Sequence, residues 1–481
     1  MLSNRNFTHI VKNGYEVLPE MLYEPSRLLL FLPLAHCFAR YIQYTAIGGH
    51  GVVGYVPGAK HLLADLRGFK PTYLLGVPRV FEKVFNAASQ KAGAGLRGRI
   101  FANAVRHFED WSKMESEHKH PSLAMRMKHS FYMSTVATSF RSALGPNLRY
   151  LACGGAPINT DLVHFFNGMD DITFIQGYGM TETAAPMMVN WQKANRPGSV
   201  GRPGPGMAVR TAEDGEIEVK GPNVFLGYYK NREKTDEVLE PSGWLHTGDL
   251  GYIDDDGFLY ITGRKKDIII TAGGKNVSPA PMENAINECP IVAHTVVVGD
   301  NKPFIGALVT LDPEMIGSWL AERGLDPHTP LEDVAHSDAV HAYIQQYVDQ
   351  ANANVSRAES VRKFIVLPHD FSVEEGTMTA SMKVVRPKVL AAYAGVIEGE
   401  LYAPVPSNRP VPVSVQILES TTETVKRAGE SMRHASENVS PRVRQAIDTV
   451  QERLGEWQQD HAETAEDASA AKEPPSQEEE R

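Results

Sequence analysis

The sequence predicts an α/β fold in which a parallel sheet is followed by a smaller β-rich unit and then by an α+β unit. In the first half, short apolar runs that end near His, Gly or Pro alternate with helix-like stretches, a pattern typical of parallel strands joined by crossover helices. From about Pro197, Gly-rich turns and short alternating runs indicate hairpins. From Arg264 to about Tyr402, apolar strands and a helix start indicate the third unit.

The strands predicted for the parallel sheet are Leu28–Leu34, Tyr73–Gly76, Leu148–Ala152 and Ile172–Gln176. Open α/β sheets bind ligands at the carboxyl ends of their strands, so the residues that follow these runs are candidates for function. Hairpin strands are predicted within residues 215–221 and 257–264. Strands of the third unit are predicted within residues 267–271, 294–300 and 304–311, with a helix starting at Ser278-Pro279.

The last part of the chain has a different composition. Residues 403–413 are proline-rich and predict a linker. Apolar residues that step by four and three from Val443 to Trp457 predict one amphipathic helix. The acidic segment after His461 has the composition of a disordered tail.

Composition excludes several classes of protein. The formal net charge of -10 and the lack of a basic stripe argue against nucleic-acid binding. Three scattered cysteines are too few for a disulfide framework. The first residues do not form a signal peptide, and the longest apolar run, Leu28–Ala35, is far too short to span a membrane. We therefore expect a cytoplasmic protein whose membrane contact, if it has one, is peripheral at the inner membrane surface.

The strongest local motif is Gln176-Gly-Tyr-Gly-Met-Thr-Glu-Thr183, which follows a predicted strand. Its glycines allow a flat ring and phosphates to approach the backbone. Tyr178 offers a stacking face, Thr181 a hydroxyl for phosphate, and Glu182 a carboxylate for Mg²⁺, which prefers oxygen ligands. A Gly/Tyr/Thr turn alone is more often only a turn, but all eight residues together closely resemble the nucleotide motif of acyl- and aryl-CoA ligases.

Two further motifs of that superfamily flank the first in the expected order. Leu151-Ala-Cys-Gly-Gly-Ala-Pro157 resembles the glycine turn that lies along the adenine, and Trp244-Leu-His-Thr-Gly-Asp249 resembles the segment whose aspartate holds the ribose hydroxyls. The resemblance to the acyl-adenylate-forming superfamily implies a nucleotide site that includes Gly154, Gly155, Ala156, Gln176, Gly177, Tyr178, Gly179, Met180, Thr181, Asp249 and Arg264. It also implies ATP and Mg²⁺ as ligands, with Glu182 on the metal and Thr181 among the catalytic residues.

Residues 263–279 resemble the hinge and the start of that superfamily's mobile C-terminal domain. The match implies that Arg264 contacts the ribose or α-phosphate and that Lys266 sits at the hinge. It places Gly273, Gly274 and Lys275 at the coenzyme A tunnel. Three adjacent bases are ordinarily a solvated charge run, an alternative that the match of the surrounding segment overrides here. Asp254, Asp255 and Asp256 are instead predicted to form a hairpin turn, because consecutive carboxylates cannot all converge on one ion.

Lys383 resembles the superfamily's catalytic lysine, at the correct distance beyond the hinge. A lysine that reaches the α-phosphate neutralises charge where acyl and phosphate oxygens crowd together. The sequence departs from the family pattern at Ala380, where a proline is usual. A surface lysine is the alternative interpretation.

Two segments concern the acyl substrate. Leu32-Pro-Leu-Ala-His36 resembles the segment that borders the acyl pocket, although a histidine that simply ends a strand fits nearly as well. Lys70-Pro-Thr-Tyr-Leu-Leu-Gly-Val-Pro-Arg-Val-Phe-Glu-Lys83 resembles the long-chain subgroup. The resemblance therefore implies a long-chain fatty-acid–CoA ligase.

The resemblance divides the chain into a large AMP-binding domain (residues 1–263), a mobile C-terminal domain (264–402) and a linker, helix and tail (403–481). In that family a phosphate-binding loop ending in Pro-Lys-Gly precedes the segment that Met1–Phe7 resembles. We therefore expect a large domain that lacks its N-terminal part, and we expect this chain to form acyl-adenylate poorly.

The predicted activity is activation of a fatty acid with ATP and transfer of the acyl group to coenzyme A. One alternative is a fatty-acyl-AMP ligase that serves a carrier protein. Another is a non-catalytic protein that binds acyl groups or nucleotides. Acyl chain length, oligomeric state and the role of the tail do not follow from the sequence.

Overall fold

A seven-stranded sheet organises the first half of the protein in the computed structural model, which describes residues 1–403 except 24, 57–61, 94, 192 and 380–382. Its strands are β1 (Arg27–Leu30), β2 (Val52–Tyr55), β3 (Tyr73–Gly76), β4 (Tyr150–Gly154), β5 (Thr173–Met180), β6 (Ala185–Val189) and β7 (Arg202–Pro203). The order across the sheet is β2-β1-β3-β4-β5-β6-β7, with parallel pairing from β2 to β5 and antiparallel pairing from β5 to β7. The predicted α/β class is confirmed.

Helices pack on both faces of this sheet. They are α1 (Asn4–Val17), α2 (Pro19–Leu22), α3 (Cys37–Gly48), α4 (Leu62–Phe69), α5 (Pro78–Ala92), α6 (Leu96–Ser116), α7 (Leu123–Tyr132), α8 (Thr138–Leu144) and α9 (Thr160–Asn167). Side chains alternate across a strand, so Tyr73 and Leu75 pack with α1 to α3 while Leu74 packs with α4 to α9. The sheet is therefore buried on both faces, as its continuous apolar strands predict.

A four-stranded antiparallel sheet follows. Its strands are β8 (Ala208–Thr211), β9 (Glu216–Lys220), β10 (Leu245–Ile253) and β11 (Leu259–Arg264), in the order β11-β10-β9-β8, with α10 (Arg232–Val238) between β9 and β10. The predicted hairpins correspond to β9 and β11. Asp254, Asp255 and Asp256 form the turn between β10 and β11, where Arg196 pairs with Asp254 and Asp256.

Residues 264–403, called here the C-terminal part, form an α+β arrangement; residues 1–263 are called the large part. The elements of the C-terminal part are β12 (Ile269–Ile270), β13 (Asn276–Val277), α11 (Pro279–Ile286), β14 (Val292–Val298), β15 (Ile305–Leu311), α12 (Pro313–Glu322), α13 (Leu331–Ala335), α14 (Asp338–Ala353), β16 (Val361–Leu367), α15 (Arg386–Ala392) and α16 (Ala394–Val396). β14, β15 and β16 make a three-stranded sheet, and β12 pairs with β13.

Four local predictions need correction. The first strand ends at Leu30 rather than Leu34, because the chain turns at Pro33, whose carbonyl accepts a hydrogen bond from the His36 amide. The edge strand β2 was missed; it is short, half exposed and interrupted by Gly54. The strand predicted to stop at Gln176 continues as β5 through Met180, since β6 pairs with that stretch. Within residues 267–271 only Ile269–Ile270 is strand.

The predicted linker, amphipathic helix and acidic tail lie outside the described residues. Within the described part of the chain, no helix has both the length and the apolar character needed to cross a bilayer. The domain boundary predicted at residue 264 lies at the last residue of β11 and stays a prediction, since residues 1–403 form one compact unit.

Candidate active site

The glycine turn after β4 lies beside a lysine from the C-terminal part. Gly155 has a φ of +88°, a conformation that favours glycine. A Cβ at Gly155 would lie 3.5 Å from Cε and 3.6 Å from Nζ of Lys383. The structure therefore places the ammonium group of Lys383 against the backbone of the predicted adenine turn.

The neighbouring strand β5 carries the nucleotide motif alongside that turn. Gly177 pairs with Gly154 in register, so the two motifs lie side by side at the carboxyl ends of β4 and β5. At Gly179 a Cβ would come within 2.1 Å of the Ala185 carbonyl oxygen, which leaves room only for glycine. The side-chain oxygen of Gln176 accepts a hydrogen bond from the Gly198 amide at 3.3 Å.

A buried carboxylate links the two sheets of the large part. Tyr178 donates its hydroxyl to one oxygen of Asp249 at 2.6 Å, and Arg264 Nε donates to the other at 2.8 Å. Asp249 is 5% exposed. Burial and the adjacent Asp249 charge raise the pKa of Tyr178 well above its ordinary value, so its hydroxyl stays protonated and remains a donor. Asp249 is thereby fixed by two donors from different elements.

Lys383 lies in a partly buried, electropositive setting. Burial and the positive charge of Arg264 lower the pKa of Lys383 below its ordinary value, while Cys37 and Asp249 act in the opposite direction. The lysine backbone is held in a small hairpin, in which the Lys383 amide donates to Thr379 Oγ1 at 3.1 Å. An anion at this point would relieve the repulsion between the two cations.

Helix α3 begins at the same place. His36 caps it, with Nδ1 accepting from the Phe38 amide at 3.3 Å, and both burial and the Lys383 charge lower the pKa of His36. Cys37 Sγ lies 3.9 Å from the Thr181 hydroxyl. His36, Thr181, Lys383, Arg264 and Asp249, which are far apart in sequence, therefore converge around the ends of β4 and β5.

Glu182 has a partner that sequence reasoning missed. Tyr228 donates its hydroxyl to Glu182 Oε1 at 2.9 Å, and burial together with the Glu182 charge raises the pKa of Tyr228 to about 12. The Tyr228 amide is held in turn by Thr235 Oγ1 at 2.9 Å. The sequence shows the aromatic pair Tyr228-Tyr229 just before α10. Neither periodicity nor spacing predicts that Tyr228 contacts Glu182.

The predicted hinge and tunnel residues do not join this group. Lys266 is exposed in the short helical turn Lys265–Asp267. Gly273, Gly274 and Lys275 form the exposed turn between β12 and β13, and Lys275 pairs with Glu359 at 3.3 Å. Lys265, one of the three adjacent bases, had no predicted role. It donates to Glu216 of β9 at 2.9 Å and so connects this segment to β9.

The C-terminal part also contacts α5 of the large part. Arg79 pairs with the buried carboxylate of Asp312 and donates to the Val292 carbonyl at 3.3 Å. Lys83 pairs with Glu314 at 3.0 Å. In the structure these contacts between α5 and the C-terminal part occur together with the contact of Lys383 with Gly155.

Comparison with known proteins identifies the group to which this arrangement belongs. Residues 1–229 match the family described as AMP-binding enzyme, and residues 266–405 match the family described as AMP-binding enzyme C-terminal domain. This chain belongs to the AMP-binding enzyme superfamily.

The similarity extends to individual members of the superfamily. The chain is 44% identical over 397 residues to the long-chain-fatty-acid–CoA ligase FadD15 of Mycobacterium tuberculosis, covering 82% of this chain and 66% of FadD15. The resemblance to long-chain fatty-acid–CoA ligases is thereby confirmed. The chain spans slightly less than two thirds of that relative's length.

Two solved structures share the fold. The adenylation domain of a carboxylate reductase from Mycobacterium chelonae has a TM-score of 0.59 and 24% identity, covering 79% of this chain and 54% of that one. O-succinylbenzoate coenzyme A synthetase from Bacillus subtilis, in complex with ATP and a magnesium ion, has a TM-score of 0.53 and 21% identity, covering 80% and 65%. At this level of identity they establish the fold class alone.

Proposed function

We propose that the protein activates long-chain fatty acids with ATP and then transfers the acyl group to coenzyme A. In the first step a carboxylate oxygen of the fatty acid attacks the α-phosphorus of ATP, and the bond to the pyrophosphate leaving group breaks. In the second step the coenzyme A thiol attacks the acyl carbon, loses its proton and releases AMP. The main support is the position of Lys383 against the glycine turn, together with the similarity to FadD15.

Lys383 and Arg264 are proposed to stabilise the first transition state. Lys383 lies against the glycine turn and near enough to Arg264 for the two positive charges to interact, so both could meet the negative charge of the α-phosphate and the carboxylate. Charges that are already oriented stabilise a transition state without reorganisation, and one such donor contributes about 3–4 kcal/mol. Thr181 is proposed to add a hydroxyl to the phosphate.

Asp249 and the glycine turn are proposed to hold the nucleoside. Gly154, Gly155 and Ala156 would lie along the adenine, while Gln176 to Met180 line the adjoining strand. Each oxygen of Asp249 accepts one donor and keeps a second lone-pair position, which suits a ribose hydroxyl.

The chemistry of Glu182 fits a magnesium ion. Its carboxylate is half-buried, and Tyr228 orients it through Oε1. Mg²⁺ is commonly held by one or two carboxylates together with substrate phosphates, so Glu182 would hold it and the metal would neutralise phosphate charge.

The second step is proposed to use a different face of the C-terminal part. Gly273, Gly274 and Lys275 lie on an exposed turn, away from Lys383 in their contacts, and are proposed to line the path of coenzyme A after rotation about Lys266. His36 is proposed to border the acyl pocket. Any membrane contact is proposed to be peripheral.

The test is formation of acyl-CoA from palmitate, ATP, Mg²⁺ and coenzyme A, followed by mass spectrometry. The proposal predicts palmitoyl-CoA, AMP and pyrophosphate in equal amounts, formed at the low rate of adenylation that is expected from the sequence. Calorimetry with a stable acyl-adenylate analogue, run on the same protein, separates an enzyme from a binding protein. Tight binding of the analogue without product would overturn the proposed activity, and acyl transfer only to a carrier protein would overturn the choice of coenzyme A.

The metal assignment has its own test. Glu182→Gln removes one carboxylate charge while keeping the shape and the Tyr228 contact, so we expect about tenfold more Mg²⁺ to be needed for half-maximal pyrophosphate exchange. Tyr228→Phe, which keeps the charge, is the control and should change this requirement less. An unchanged Mg²⁺ dependence in Glu182→Gln would contradict the assignment.

A further inference from the structure

Helix α7 exposes an apolar stripe to solvent. Leu123, Met127 and Phe131 are 76%, 69% and 53% exposed and follow one another at intervals of four residues. At 3.6 residues per turn, this spacing places all three on one side of the helix. Single exposed apolar residues are common on protein surfaces, but an aligned row on one helix indicates a surface that contacts something.

The opposite side of α7 is anchored, which fixes the direction of the stripe. His129 is buried, its ring stacks on Trp111 at 3.8 Å, and its Nε2 hydrogen-bonds to Asp170 at 2.8 Å. Tyr132 is partly buried beside the same aromatic group, 5.2 Å from His107. Rotation that would bury the stripe would break these contacts, so the stripe belongs to the folded state.

The charged side chains on α7 itself are both basic, while the acidic Asp170 lies on the anchored side of the helix, where it bonds to His129. Between His118 and Thr160 the sequence has five Lys/Arg and no Asp/Glu, although the whole chain has a formal net charge of -10. Arg126 and Lys128 lie on the two flanks of the stripe, and both are exposed. In the described part of the chain, neither side chain has a hydrogen-bond or ion-pair partner. A surface with an apolar centre and unpaired basic flanks fits an anionic interface that also has an apolar layer.

We propose that α7 is the surface by which the protein docks on a membrane that contains anionic lipids. The helix would lie in the plane of the interface, with Leu123, Met127 and Phe131 at the acyl boundary and the two basic side chains at the headgroups. This proposal rests on the proposed function, which includes a peripheral membrane contact, and it assigns that contact to α7. A membrane is also where long-chain fatty acids are dissolved.

Two other occupants fit the surface less well. A second copy related by a two-fold axis through the stripe would bring Arg126 and Lys128 close to their own copies, and like charges repel. A nucleic acid would cover the apolar centre with phosphates, which leaves the exposed Leu, Met and Phe side chains without a matching partner. A bilayer surface satisfies both the apolar and the basic components.

The experiment measures co-sedimentation of the full chain with phosphatidylcholine vesicles, with and without phosphatidylglycerol. We expect binding that requires phosphatidylglycerol and weakens as salt rises. Replacing Leu123, Met127 and Phe131 with Ser should reduce the partition coefficient roughly 100-fold. Arg126→Glu with Lys128→Glu should reduce it at least about 25-fold, since each basic residue near an anionic surface contributes roughly fivefold.

Matched control variants distinguish binding through α7 from non-specific binding to vesicles. Ile47 and Leu325 are exposed apolar residues on other helices or loops, and Ile47→Ser with Leu325→Ser should leave vesicle binding unchanged. Arg357→Glu with Lys388→Glu makes the same charge change elsewhere and should reduce binding less than fivefold.

Several results would overturn the proposal. These are no binding to either vesicle, equal binding by the α7 and control variants, or a concentration-dependent dimer that only the Ser variant abolishes. Nucleic-acid binding that the Glu variant abolishes, with vesicle binding intact, would equally overturn it. Acyl-CoA formation is assayed on the same samples: activity without vesicle binding rejects the docking surface alone, whereas vesicle binding without activity rejects the proposed enzyme alone.

Discussion

The two sides of the candidate active site are held by different kinds of contact. On one side, Asp249 is fixed by hydrogen bonds from Tyr178 of the large part and from Arg264, the first residue of the C-terminal part, at the end of β11. On the other side, Lys383 comes from the C-terminal part and lies against Gly155, in an arrangement in which that part also contacts α5 through Arg79 and Asp312. The first side depends on hydrogen bonds to one carboxylate, whereas the second depends on contacts between the two parts, so we expect variants of the two sides to affect different steps.

The largest effect is expected at the lysine. Lys383→Ala should lower the rate of pyrophosphate exchange by about 100- to 1,000-fold, because it removes the oriented charge that is proposed to act in the first step. The rate of acyl-CoA formation from preformed acyl-adenylate should change little. Lys388→Ala, an exposed lysine five residues along, is the control. Equal loss in both half-reactions would contradict a role confined to the first step.

The aspartate tests the other side. Asp249→Asn puts an amide where the carboxylate accepts two hydrogen bonds, so one donor loses its acceptor and about 2 kcal/mol of binding or stability is lost. We expect an acyl-adenylate analogue to bind roughly 30-fold more weakly by calorimetry. Tyr178→Phe removes a single hydrogen bond and should have a smaller effect. An unchanged affinity in Asp249→Asn would show that this carboxylate does not contact the nucleoside.

The contact of Arg79 with Asp312 should affect only the step in which Lys383 is proposed to act. Arg79→Ala leaves the buried Asp312 carboxylate unpaired across the contact between the two parts, which favours separation. Pyrophosphate exchange should fall about tenfold while acyl transfer from preformed acyl-adenylate does not. A double-mutant cycle with Asp312→Asn measures the coupling. Additive losses in the two variants would argue against the docking role of the pair.

The smallest effect is a displacement of the pH profile. Because burial and Arg264 lower the pKa of Lys383, its ammonium form is lost at a lower pH than that of an ordinary lysine. The alkaline limb of kcat/KM for adenylation should therefore lie below the usual lysine range. Lys383→Arg keeps its charge at all accessible pH values, so this limb should disappear from the residual activity. Persistence of the limb would assign it to another group.

Much of the fold could be predicted from the sequence because local patterns determined it. The strand at Tyr73–Gly76 is bounded by Pro71 and Val77-Pro78, and the helix after Ser278 begins with a proline at its first position. The edge strand Val52–Tyr55 was not predicted, because it is half exposed and pairs with one neighbour only. Strand β5 runs past Gln176 for a reason outside its own sequence, namely the pairing of Tyr178 with Met188.

Resemblance to the family supplied a predicted membership for the candidate site, which stays a prediction, but it did not supply the contacts between the members. The motifs placed Lys383, Asp249 and Gly155 in one site by resemblance. No pattern along the chain showed that Tyr178 donates to Asp249, that Tyr228 holds Glu182, or that Arg79 pairs with Asp312. Those contacts join residues 46 to 233 positions apart, so they depend on packing in three dimensions rather than on local sequence.

The fixed position of Asp249 has a consequence for the entropy of ligand capture. Its carboxylate is held at both oxygens by Tyr178 and Arg264, so it has little rotamer freedom left to lose when a ligand binds. A mobile side chain would lose conformational entropy on binding, whereas Asp249 has lost that entropy during folding. If Asp249 holds the nucleoside as proposed, its contacts should act mainly by lengthening the residence time of the acyl-adenylate between the two proposed steps.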